Sequence, residues 1–374
     1  MKTERMDGKT CQSFFELLRD GLWGCSTDAG LMAGTDWKAL MDTAARQTVA
    51  GLVAQGICNL AATAQVPRPV INRALYVKSH NRACHALLNK SLEGITSLLH
   101  REGIRCVLLK GQGLAAFYPN ATLRTCGDID LWVGQDAYRK ACHKAAQWND
   151  QGTCTDGQKH FHFHYKGVPI ELHRITERMP FGMHNRLFGQ LTEEKLQPGN
   201  CPHVFIDGNS YEIPPDDYNV VYVFNHFFHH FMLGGISLRQ LCDWALLLNA
   251  TADNIDQCVL EQRLRSFGLW RAWHLFGSIA VETLGLPAHK MPFYSLCHPG
   301  KQQALSFILD AGNFGRYRTD TGPRPESYWG GKRHSLKGNM QHFRNFLTIL
   351  PQETAAYGTT FLYRGMTNIL KRQK

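Results

Sequence analysis

Three acidic residues, far apart in the chain, carry the strongest chemical signal. Asp128 and Asp130 sit two apart in the run Asp-Ile-Asp-Leu-Trp-Val. Residues two apart on a strand project from one face, so the two carboxylates point together while Ile129, Leu131 and Val133 point into a core. Carboxylates held side by side repel, and a divalent cation relieves that repulsion. Mg2+ typically takes one or two carboxylates together with substrate phosphates. An isolated Asp-x-Asp also fits a strand end that merely faces water, so a third ligand matters.

Glu171 supplies it. The alternating runs His160–Tyr165 and Val168–His173 flank Lys166-Gly167, a hairpin pattern. Phe161, Phe163 and Tyr165 share one face of the first strand, and Val168, Ile170 and Leu172 share one face of the second. Only one parity of pairing puts apolar with apolar, because a one-residue slip exchanges the faces. With a two-residue turn that parity sets His162 across from Glu171 and His160 across from His173. Three carboxylates on adjacent strands suit two-metal phosphoryl chemistry. One ion would activate an attacking hydroxyl, and the other would hold a triphosphate and steady the departing pyrophosphate. Asp128 and Asp130 would bridge the ions, and Glu171 would bind, or orient a base for, the ion nearer the nucleophile.

The same face is rich in histidine. A zinc hydrolase built on His160, His162 and His164 is the rival reading, and it needs three ligands plus an open water position. Side chains along one strand diverge, which weighs against it. Later in the chain Arg239 and Asp243 are four apart, neighbours on one helix face, where a local salt bridge is the plain expectation. His226, His229 and His230 precede them, either facing a cleft or satisfied within their helix.

These groups need a scaffold. Cys11–Gly21, Asp36–Leu60 and Pro69–Arg101 show helical spacing of apolar residues. Ile104–Leu109 reads as a buried strand, Leu114–Tyr118 as a short helix, Asp128–Val133 as a strand and Gln135–Trp148 as an amphipathic helix. Beyond Asp216 helices return. Tyr218–Leu233 would be capped by Asp216 or Asp217, and Leu238–Leu248 by Ser237. More helices follow at Ile255–Gly268, Leu269–Leu284, Gln302–Ala311 and Lys337–Leu350, with a Gly-, Pro- and Arg-rich loop over Asn313–Lys332. The order predicts an α+β protein, a small mixed sheet flanked by helical regions. Its three parts would be residues 1–101, 102–215 and 216–374.

Composition narrows the setting. A formal charge of +10 favours acidic partners such as phosphorylated nucleotides, nucleic acid or anionic lipid. The basic residues are dispersed rather than striped, which gives no nucleic-acid groove signature. The twelve cysteines form no Cys-x-x-Cys pair, and the chain is far larger than a disulfide-stapled domain. A reducing cytoplasm is expected. The apolar run Tyr218–Leu233 is broken by Asn225, His226, His229 and His230, a poor membrane span.

Taken in order, Leu109-Lys110-Gly111, Arg124, Gly127-Asp128-Ile129-Asp130-Leu131 and Ile170-Glu171-Leu172-His173 resemble the DNA polymerase β-type nucleotidyltransferase superfamily. Within it, they are closest to a bacterial branch of uncharacterised nucleotidyltransferases. The resemblance implies Asp128, Asp130 and Glu171 as catalytic metal ligands for Mg2+, with Mn2+ as its substitute. It implies an NTP donor, ATP among the candidates, and nucleotide contacts from Lys110, Gly111 and Arg124. Gly111 would open a helix whose N–H groups meet the triphosphate. The superfamily's usual Gly-Ser is replaced here by Lys110-Gly111, so a phosphate-touching hydroxyl is missing, and Lys110 and Arg124 would supply charge instead. The acceptor is open: a small molecule, a sugar phosphate, a protein side chain or an RNA end. A module that keeps the fold without turnover is the alternative.

Overall fold

The computed structural model describes residues 6–62, 64, 66–157, 159–296, 298–318, 322, 325 and 327–372. Four helices come first: α1 (Gly8–Trp23), α2 (Trp37–Arg46), α3 (Ala50–Ala61) and the long α4 (Arg68–Arg101). The mixed region follows with β1 (Val107–Leu108), α5 (Gln112–Ala115), β2 (Ile129–Trp132), α6 (Gly134–Trp148) and β3 (Thr155–Asp156). It continues through β4 (His160–Tyr165), β5 (Val168–His173), α7 (Gly182–Lys195), β6 (His203–Ile206) and β7 (Asn209–Glu212). The remaining helices are α8 (Asp216–Leu233), α9 (Leu238–Thr251), α10 (Gln257–Ser266), α11 (Trp270–Glu282), α12 (Lys301–Ala311), α13 (Tyr328–Phe346) and α14 (Pro351–Arg372). The α+β class with helical flanks holds.

The main sheet has five strands in the order β1-β2-β5-β4-β3. It is mixed: β2 runs parallel to β5, while β1 with β2, β5 with β4, and β4 with β3 are antiparallel. The hairpin register is the one its parity requires, with His162 opposite Glu171 and His160 opposite His173. Lys166 and Gly167 both take positive φ, 51° and 72°, as a tight two-residue hairpin turn demands.

The two sheet faces meet different cores. Ile129, Leu131, Phe161, Phe163, Ile170 and Leu172 pack with Leu88, Leu92, Ile95 and Leu99 of α4 and with Tyr138, Ala141 and Ala145 of α6. Trp132, on the opposite face, joins a larger core built from α1, α3, α8, α9, α11 and the C-terminal helices. That core is dense in aromatic rings; Phe224 of α8 alone lies within 5.1 Å of the rings of Phe227, Trp244 and Trp273. The polar sheet face therefore looks toward α8 and α9.

Several expected boundaries move. The single helix over Asp36–Leu60 is two, broken where Thr48 takes φ 52°. The fully buried Gln47 explains the break, since its amide donates to the carbonyls of Ile308 and Leu309 and accepts from Leu238 N–H. The strand over Ile104–Leu109 contracts to β1, although Leu109 N–H still donates to the Asp130 carbonyl at 3.1 Å. Asp216 and Asp217 lie inside the first turn of α8, whose N-cap is Pro215. Ser237 does cap α9, in a capping box with Gln240. Helices α7 and α14 and the β6–β7 hairpin were not anticipated. The loop over Asn313–Lys332 gives way to α13 from Tyr328, and residues 319–321, 323, 324 and 326 lie outside the described part. Eleven cysteines are free; Cys297 also lies outside the described residues. Among the described residues no helix is long and apolar enough to cross a membrane.

Candidate active site

The parallel β2–β5 ladder aligns Asp130 with Glu171. Paired residues project to the same side, so the ladder brings a carboxylate from each strand onto one face. Asp128 follows by the two-residue period, and one oxygen from each of Asp128, Asp130 and Glu171 lies within 4.8 Å of the others. These acids line a cavity of about 640 Å³ between the sheet and helices α8 and α9.

The electrostatics are those of an acid cluster partly balanced by its own cations. The Asp130 carboxylate beside it, together with burial, raises Asp128 above the usual carboxylate range. Burial opposes ionisation of Asp130 itself, but Lys110 and His173 outweigh it and hold Asp130 well below that range. Lys110 Nζ stands 3.0 Å from Asp130 Oδ1 and His173 Nε2 stands 2.8 Å from the same oxygen. Burial resists the charge on Lys110, yet Asp130, Asp128 and Glu171 together keep it above its ordinary value. His173 Nε2 also lies 3.2 Å from Glu171 Oε2. Oxygen-rich, crowded and under like-charge strain, this donor set suits a hard divalent cation.

Gly111 has φ 53° and ψ −114°, a conformation open to glycine alone, and a Cβ there would lie 3.0 Å from the Asp128 carbonyl oxygen. The Lys110-Gly111 turn is thus pressed against the acid-bearing strand. The helix it opens, α5, is a single turn, so few aligned peptides stand behind it. Gln112 ties this turn to α4: its Nε2 donates to His85 Nδ1 at 3.1 Å, while His85 Nε2 donates to the Arg124 carbonyl at 2.9 Å.

The two arginines divide differently from the sequence expectation. Arg124 lines the cavity, but its guanidinium is locked in a buried fork on Asp243, Nε to Oδ1 at 2.8 Å and Nη2 to Oδ2 at 2.9 Å. Tyr118 adds a third bond to Asp243 at 2.7 Å. Asp243 therefore does not pair with Arg239 on its own helix. Arg239 instead reaches the Thr125 carbonyl at 3.1 Å, and among the described residues no carboxylate lies within ion-pair distance of it. Burial and the nearby Arg124 pull its pKa below the usual guanidinium range.

A second polar group faces the acids. Glu177 is buried between Lys159, 3.0 Å from its Oε2, and His226, whose Nδ1 lies 2.7 Å from the same oxygen. Lys159, His226 and His230 line the cavity. Of the strand histidines, His160 stands with Glu171 and His173, its Nδ1 3.2 Å from Glu171 Oε2. His162 and His164 instead pack edge-on against each other, their centroids 5.1 Å apart. The three strand histidines do not converge on one point, as the divergence of side chains along a strand requires.

Residues 33–285 match the profile of a family described as uncharacterised nucleotidyltransferase. The chain belongs to this family. Searches of curated proteins and of solved structures return no match. The family match runs from the N-terminal helices through α11, so α8 and α9, which wall the cavity, fall within it as well as the sheet.

In this nucleotidyltransferase the residues that sequence reasoning missed are those with no periodic signature. Glu177 lies in the irregular stretch after β5, and Lys159 immediately before β4. The sequence marks His226 but not its partner Glu177, because 49 residues separate them. Helical spacing points Asp243 to Arg239, whereas it bonds Arg124, since spacing reveals neighbours only along its own helix.

Proposed function

We propose that this protein transfers a nucleoside monophosphate from an Mg2+-bound NTP to an acceptor hydroxyl or phosphate, releasing pyrophosphate. The carrying observation is the convergence of Asp128, Asp130 and Glu171 on one cavity whose walls also present Arg239, Lys159 and Lys110. Asp128, Asp130 and Glu171 would hold the metal. When bound, Mg2+ neutralises triphosphate charge and steadies the leaving pyrophosphate, a role that Mn2+ also fills.

The chain's own groups do the rest. Lys110, 3.0 Å from Asp130, would be able to turn to phosphate oxygens once bound metal compensates that carboxylate. Arg239, which has no carboxylate within ion-pair distance among the described residues, is the stronger phosphate clamp, because its planar fork suits two oxygens at once. Arg124 acts behind it: the fork on Asp243 fixes the segment from which Gly127 and Asp128 emerge. Gly111 lets the turn approach the substrate without a side chain in the way. The acceptor is a small molecule, a sugar phosphate, a protein side chain or an RNA end. The free thiols, several of them buried, support a reducing compartment such as the cytoplasm.

Two measurements test the reading. Calorimetric titration with each NTP and Mg2+ should give binding, and a pyrophosphate-release assay across an acceptor panel should give turnover. Release that vanishes in Asp130→Asn and Glu171→Gln is the expected result. Metal-dependent NTP binding with no release across a broad panel would leave a binding module and sink the transferase.

A further inference from the structure

The carboxylates explain metal and phosphate handling, but not why a buried acid orients a histidine across the cavity from them. Glu177 is 5% exposed, and Lys159 Nζ at 3.0 Å keeps it ionised. Burial opposes that charge, yet Lys159 and His226 hold the carboxyl well below its usual range. An ionised carboxylate only accepts hydrogen bonds, so the 2.7 Å contact places the His226 proton on Nδ1. That leaves the Nε2 lone pair as the reactive end. Among the described residues Nε2 has no hydrogen-bond partner, nor is it sealed away, and His226 lines the same cavity as Asp128, Asp130 and Glu171. A carboxylate that fixes a tautomer and steadies the imidazolium is the arrangement that makes histidine a general base.

The geometry points to His226 as the general base for the acceptor, with Glu177 as the residue that positions it and Lys159 as the counter-ion of Glu177. The inference rests on the transfer reading above. In the step it describes, the acceptor hydroxyl gives its proton to Nε2 as its oxygen bonds to the α-phosphorus. The bond from that phosphorus to the bridging oxygen breaks, pyrophosphate leaves, and the imidazolium later returns its proton to solvent. Among the described residues, Lys110 and His230 act on the His226 ring directly, Lys159 and His229 act on its neighbours Glu177 and His230, Tyr222 lies tilted beside it at 6.4 Å, and Glu177 is the acid it bonds. Burial and the nearby Lys110 keep the ring unprotonated, so its Nε2 is available to take a proton, while the bond to Glu177 acts in the opposite sense and favours the protonated form.

The test uses the full-length protein with Mg2+ and ATP, and follows pyrophosphate release with water, glycerol and ribose 5-phosphate as acceptors. His226→Ala should lower kcat by about 10²-fold or more with KM for ATP nearly unchanged, and added imidazole should restore part of the rate. Glu177→Gln preserves the shape of the site if His226→Ala folds poorly. It should lower kcat and move the acid limb of the pH–rate profile to lower pH, since the ring loses the anion that stabilises its proton. A wild-type rate matched by both variants overturns the inference, as does a His226→Ala loss carried by KM or untouched by imidazole. If the wild type releases no pyrophosphate at all, the transfer reading falls and takes this inference with it.

Discussion

At the residue scale, the acids and the arginines make opposite predictions. Asp128 is raised by the carboxylate beside it, so in the absence of metal it opposes the fold. Asp128→Asn should therefore leave the melting temperature of metal-free protein unchanged or higher, while removing the increase that Mg2+ or Mn2+ gives the wild type by binding the native state. Differential scanning fluorimetry with and without metal checks both halves; a wild-type metal shift preserved in the variant would remove Asp128 from the site. The arginines separate stability from binding. Arg124→Ala strands Asp243 in the interior and should cost about 3–5 kcal/mol in chemical denaturation, the usual penalty for breaking a buried pair. Arg239→Ala breaks no ion pair among the described residues. It should leave stability within about 1 kcal/mol and weaken Mg-NTP binding about tenfold or more by calorimetry, the loss of a charge-assisted contact. A reversed pattern would return the phosphate grip to Arg124.

At the scale of elements, the turn before α5 is the part least tolerant of change. Gly111→Ala forces a side chain into a glycine-only backbone region and against the Asp128 carbonyl. It should cost about 1–3 kcal/mol and depress turnover by shifting the acid-bearing strand. Normal activity in a folded Gly111→Ala protein would contradict that coupling. His85 links α4 to the same turn. Its Nδ1 accepts from Gln112, so it must be neutral in the fold, and burial holds its pKa below the usual imidazole value. The unfolded chain then binds the proton first as pH falls. The stability His85 contributes is full above about pH 6.5 and is lost as pH drops toward its folded value. The melting temperature should therefore fall between about pH 7.5 and 5.5, and fall less in His85→Gln. Equal slopes in the two proteins would show that other groups carry the pH dependence.

At the scale of the whole molecule, the site depends on a core drawn from both ends of the chain. Gln47 is the clearest joint: three of its bonds reach Leu238, Ile308 and Leu309 from between α2 and α3. Gln47→Leu leaves buried backbone groups without partners and should cost about 2–4 kcal/mol in denaturant midpoint experiments, at about 1–3 kcal/mol per orphaned group. A near-neutral variant would mean the helical flanks are held by apolar packing alone. The hairpin register, the shared face of Asp128 and Asp130, the capping of α9 and the α+β order were legible because each follows from short-range periodicity: two residues per strand repeat, 3.6 per helical turn. The Asp-Gly turn of β6–β7 belongs to the same class and could have been read from Asp207-Gly208, both at positive φ. What lay beyond periodicity was partnership at a distance. Nothing local says that β2 runs beside β5, that Arg124 forks onto Asp243, or that Glu177 lies against His226. Local sequence determined which groups this protein presents and on which face of each element. Only the packing of α8 and α9 over the sheet decided which charges are compensated and which stand free for a substrate, because the energy of a buried charge depends on neighbours that the chain delivers from more than a hundred residues away.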